Sequence, residues 1–113
     1  MPLLASFAQK LEQMYVSIFQ VQCFPLQSVM AALDYPQIDY FSLDIEGAEF
    51  AVLNTLDWHK LDILSLSVEV EHAGEIFEGT REDIKNLIET NGLRFEEKVG
   101  HDDIFVKTKH KRT

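Results

Sequence analysis

Two groups of side chains in this 113-residue chain have the types and spacing to do chemistry. Asp44, Glu46 and Glu49 crowd around Gly47 in IDYFSLDIEGAEFAVLNTL, residues 38–56, and Glu69, Glu71 and His72 follow in SVEVEHAGE, residues 67–75. Carboxylates beside a histidine can take a proton from a hydroxyl, orient it as a nucleophile, or hold a divalent cation. Both groups follow apolar runs that read as strands, and open α/β sheets bind ligands at the carboxyl ends of their strands. Asp44, still on its strand, is better placed than Glu49 to project into such a crevice. A structural account competes with this one. Acidic residues in the first turn of a helix interact favourably with its dipole, by about 0.3–1 kcal/mol each, and Gly47 permits a tight strand-to-helix turn. Strand alternation also lets only some of the second group face one way. No metal site is expected, because the chain has no Cys/His ligand spacing and one cysteine, Cys23. Ser42, Ser65 and Ser67 lie within strand-like runs and lack a nucleophile-elbow motif.

The elements that must position these groups can be read from hydrophobic periodicity. Leu4, Phe7, Leu11 and Met14 recur at helical spacing, which predicts a helix over residues 3–14. Residues 16–24 are rich in β-branched and aromatic types and predict a strand. Pro25 suits a helix start, and Leu26, Val29, Met30 and Leu33 give the helix that follows one apolar stripe, ended by Asp34-Tyr35-Pro36. Residues 38–43 are apolar on both faces apart from Asp39 and Ser42, and residues 61–71 alternate in places but stay largely apolar; separated by a short helix, they have the pattern of parallel strands covered on both sides. Thr80 and Asp83 have capping-box spacing before a helix with Ile84, Leu87 and Ile88 on one face, closed by Asn91-Gly92. LRFEEKV and DIFVKT flank Gly100 as a terminal hairpin. Strand–helix alternation of this kind predicts an α/β layered sheet in one unit.

Composition excludes several roles. The net charge is −9, and the 6 basic and 19 acidic groups of residues 1–106 give that part −13. Such a body repels phosphate backbones, so no nucleic-acid partner is expected. The basic run KTKHKRT reads as a solvated terminus, with a membrane or localisation signal as the other reading. The opening residues lack the basic n-region of a signal peptide, and no run reaches the ~20 apolar residues of a membrane span.

The joint itself resembles the signature of FkbM-type methyltransferase domains, in which an apolar strand runs into D-x-E-G-x-E and a helix. Asp44, Glu46, Gly47 and Glu49 match it, followed by Val52 and Leu53, and VQCFPLQSVMAAL and ILSLSVEVEH resemble the flanking segments. The likeness covers residues 21–107 and looks closest to an animal branch related to the protein Star, with 1–20 and the basic 108–113 outside it. It implies the C-terminal half of a Rossmann-like fold using S-adenosylmethionine to methylate an oxygen. Residues 38–44 would be the fourth strand, 63–71 the fifth and the hairpin the last two, one of them antiparallel. It also implies catalytic roles for Asp44, Glu46, Glu71 and His72, on an unidentified hydroxyl-bearing substrate. In such folds a glycine-rich turn and an acidic residue, both further upstream, hold the cofactor. No G-x-G occurs in this chain, so S-adenosylmethionine is not expected to bind it alone, and Asp44 is the sole candidate for touching it. The fourth strand would then expose an apolar edge, open to self-association unless the N-terminal helix or residues 16–24 cover it. The Star-like branch implies a different role, a protein-binding module in secretory-pathway trafficking. A full-length parent would then reside at ER, Golgi or endosomal membranes.

Overall fold

The structure is a computed structural model that describes residues 17–108. The helix expected over 3–14 and the end of the basic tail, from residue 109, lie outside the described residues. In chain order the elements are α1 (Leu26–Ala32), β1 (Phe41–Leu43), α2 (Glu49–Leu53), β2 (Ser65–Glu69), α3 (Arg81–Thr90), β3 (Leu93–Val99) and β4 (Asp102–Lys107). The four strands form one mixed sheet in the order β1-β2-β4-β3.

β1 and β2 pair in parallel, with Phe41 opposite Leu66 and Leu43 opposite Val68; β2 is buried on both faces, whereas β1 leaves Ser42 exposed. An isolated parallel bridge, Ile38 to Ile63, extends the pairing toward the amino ends. β2 is the central strand, and Leu66, Ser67 and Val68 are all buried although they point to alternate faces. β4 returns antiparallel between β2 and β3, placing Phe105 opposite both Leu66 and Phe95. Phe105 is fully buried and meets the Phe95 ring edge-on, with centroids 5.8 Å apart.

The local signals around α3 act as their spacing predicts. Thr80 accepts from the Asp83 N–H while Asp83 accepts from the Thr80 N–H, a reciprocal cap. Ile84 and Ile88 then bury against Leu53, Leu93 and their neighbours in the core. Arg81, the first helical residue, donates twice to Asp103 of β4, at 2.7 and 2.9 Å. Asp103 is buried, so this two-point pairing compensates the cost of taking its charge out of water.

One expected element is corrected. Residues 17–24 form no strand and are exposed throughout. β-Branched and aromatic content favours a strand only where a neighbouring strand supplies the ladder. β1 pairs on one side only among the described residues, with β2, so residues 17–24 do not cover its free edge. The apolar stripe of α1 is also only half used. Met30 is buried, whereas Val29 and Leu33 stay exposed.

Candidate functional site

The parallel register brings the carboxyl ends of β1 and β2 to one rim, where Asp44 and Glu69 follow the paired Leu43 and Val68. Between β1 and α2 the chain makes a sharp turn in which Glu46 and Gly47 are both left-handed, with φ of 56° and 103°. Gly47 is required there twice over. Its φ strains any L side chain, and a Cβ would lie 2.8 Å from the carbonyl oxygen of His72 in the loop after β2. That close approach locks the two rim loops together.

Glu49 holds the turn from beneath. Its side chain is fully buried, and it accepts the Ile45 N–H at 2.6 Å and the Gly47 N–H at 3.0 Å. These are turn amides that the short α2 cannot satisfy, so the carboxylate is their partner. Of the three acids at the joint, only Glu49 lies in the first turn of α2. Helix-start electrostatics therefore applies to it and leaves Asp44 and Glu46 unexplained.

The rim carboxylates fall into two adjoining groups. In the first, one oxygen each from Asp44, Glu49 and Glu69 lie within 4.8 Å of one another. Asp44 is exposed, while Glu49 and Glu69 are buried. Burial pushes the Glu69 carboxyl above its usual pKa; the N–H of Glu71, donating at 2.6 Å, pulls it back, and the charges on Asp44 and Glu49 raise it further. In the second group, His72 Nδ1 lies 2.8 Å from Glu75 Oε2, and its Nε2 is 3.5 Å from Glu46 and 3.8 Å from Glu71. His101, in the hairpin turn, reaches the other oxygen of Glu71 at 3.8 Å. The hydrogen bond to Glu75, reinforced by the charges of Glu75, Glu71 and Glu46, raises the His72 pKa above its ordinary value despite some desolvation.

Of the four residues singled out from sequence as catalytic candidates, Glu46, Glu71 and His72 thus meet, and Asp44 sits with Glu49 and Glu69. Glu49 and Glu69 were visible as members of the acidic runs, but nothing in the sequence ranked them. Their importance comes from the β1–β2 register and from burial, which local spacing does not encode. Chemically, the first group can accept a hydroxyl hydrogen, share a proton, or offer three oxygens to a hard divalent cation.

A parallel strand pair with carboxylates gathered at its carboxyl rim, flanked by an antiparallel return strand, makes this a mixed α/β domain. The family model of the Methyltransferase FkbM domain matches residues 3–106, and the chain belongs to that family. Comparison with curated proteins and with solved structures gave no significant match. No helix among the described residues is long and apolar enough to cross a membrane.

The family implies use of S-adenosylmethionine, and the described residues do not fit a cradle for it. No glycine-rich turn follows a strand, and two of the glycines are packed shut, Gly47 against His72 and Gly79 against the Phe50 ring. A nucleoside needs backbone that approaches it closely, and these turns are already filled by protein.

Proposed function

We propose that this chain carries the acceptor side of an FkbM-type O-methyltransferase domain and does not grip S-adenosylmethionine by itself. The observation that carries this reading is the convergence of Asp44, Glu49 and Glu69 at the carboxyl rim of the parallel strands. Two further features support it. The sheet order β1-β2-β4-β3, with β4 antiparallel to both neighbours, fits the fourth, fifth and last two strands of a Rossmann-like half. The raised pKa of Glu69 brings a carboxylate nearer the pH at which a general base works best. In this scheme Asp44 faces the acceptor hydroxyl, Glu69 takes its proton, and Glu49 keeps the turn in place. Glu46, Glu71 and His72 form the outer wall, where His72 offsets the negative charge of the rim.

The test is a calorimetric titration of the folded 113-residue chain with S-adenosylmethionine. No heat is expected. Micromolar binding that is lost in Asp44→Ala, or methyl transfer by the purified chain, would overturn the reading.

A second reading follows from the Star-like resemblance, in which the fold is a protein-docking module of secretory-pathway trafficking. The observation that favours it is Glu46, whose side chain is 74% exposed on a left-handed backbone at the edge of the rim. If it holds, charge reversal at Glu46 and Glu71 abolishes partner capture, while Asp44→Ala leaves it intact.

A further inference from the structure

We infer that His72, Glu46 and Glu71 bind one divalent transition-metal ion of the zinc class at the carboxyl rim. The three come from two loops, Glu46 from the β1–α2 turn and Glu71 with His72 from the segment after β2. His72 is already oriented. Its Nδ1 lies 2.8 Å from Glu75 Oε2, and an ionised carboxylate has no hydrogen to give, so the ring nitrogen donates. Nε2 then faces Glu46 Oε2 at 3.5 Å and Glu71 Oε2 at 3.8 Å. A ring nitrogen and two ionised oxygens turned to one point need positive charge between them, either a proton on the imidazole or a cation. Donating from one nitrogen to a carboxylate while presenting the other is how metal-ligating histidines are held.

The spacing fits an ion. With bonds of about 2.1 Å and a tetrahedral angle, two ligand atoms lie about 3.4 Å apart, close to the two contacts of Nε2. The backbone that carries the ligands is held in place, and the side chains are free to close. A Cβ on Gly47 would stand 2.8 Å from the His72 carbonyl oxygen, so the β1–α2 turn is packed against the His72 loop. The His101 carbonyl accepts the Val70 N–H at 2.9 Å, which keeps the His101 ring beside the other oxygen of Glu71. The carboxylates of Glu46 and Glu71 are exposed, so settling each onto an ion disturbs no core contact. An imidazole nitrogen selects zinc, cobalt or nickel over magnesium and calcium, which prefer oxygen ligands. The adjoining group of Asp44, Glu49 and Glu69 offers only oxygens, and both of those on Glu49 already accept turn amides. The net charge of −9 draws cations to the molecule.

Calorimetric titration of the folded 113-residue chain with zinc chloride tests the inference, and it reads binding without any need for methyl transfer. One ion per chain is expected, with magnesium chloride far weaker. Glu75→Gln, which changes only the outer partner of the imidazole, should weaken zinc binding about 10–100-fold. His72→Asn should weaken it further. Circular dichroism of both variants should match the parent, since neither side chain belongs to the buried core. Three results would overturn the inference: no zinc uptake by the folded parent, an affinity unchanged in His72→Asn, or an affinity lost in Asp44→Asn and kept in His72→Asn, which would place the ion among the other acids.

Discussion

Replacing Glu49 by glutamine separates the two forces that meet at the acidic rim. The carboxylate accepts two turn amides, from Ile45 at 2.6 Å and Gly47 at 3.0 Å. A hydrogen bond to a charged group contributes about 1.5–3 kcal/mol. Glutamine keeps one oxygen and turns an N–H toward the other amide. One bond is weakened, the other is lost, and a donor is left unpaired, for a cost of about 3–5 kcal/mol. Opposing this, the substitution removes a negative charge within 4.8 Å of Asp44 and Glu69. At an effective dielectric of 20, two full charges at that distance repel by about 3.5 kcal/mol, an upper figure beside the solvent-exposed Asp44. The relief depends on Glu69 being ionised, and its pKa is raised. Glu49→Gln should therefore cost about 2–4 kcal/mol where Glu69 is protonated and distinctly less where it is ionised, so the cost should be larger near pH 5 than near pH 8. Urea unfolding at the two pH values, followed by Trp58 fluorescence, measures both numbers. A variant as stable as the parent at both pH values would show that hydrogen bonding to the turn is not what keeps a buried carboxylate at position 49. A cost that grows with pH would refute the repulsion argument.

The folded-state pKa of His72 is raised, so its stabilising contribution is full below the unfolded value of 6.5 and is lost as pH rises through the folded value. An NMR titration should place its midpoint above 6.5, and Glu75→Gln should lower it; a midpoint at or below 6.5 in the parent chain contradicts the Glu75 contact. Glu69 is also raised, from 4.5, so its ionisation destabilises the fold progressively as pH climbs from there, and Glu69→Gln should flatten that part of the pH–stability curve. A Cβ added at Gly79 would run into the Phe50 side chain on a backbone with φ of 107°, so Gly79→Ala should lower stability by more than about 2 kcal/mol in the same urea assay.

Much of the architecture is legible in the sequence because it rests on local or periodic signals. The Thr80–Asp83 cap, the Ile84–Ile88 face and the Gly100 hairpin are set by residues a few positions apart. The largely apolar runs point to the parallel pair, and β2 is buried on both faces as such a strand should be, although β1 shows Ser42 to water. The signature DIEGAE carries the family, and it marked the joint as the place for acid. What the sequence did not determine was which acids meet. Asp44, Glu49 and Glu69 converge because Leu43 pairs with Val68, and register is fixed by the packing of whole strands. The strand expected over residues 16–24 failed on the same ground, as propensity names a residue's preference but a ladder needs a partner. The division between a buried Glu49 that holds the turn and an exposed Asp44 that faces outward is likewise a property of the tertiary structure. Burial and desolvation depend on what chains distant in sequence place around a side chain.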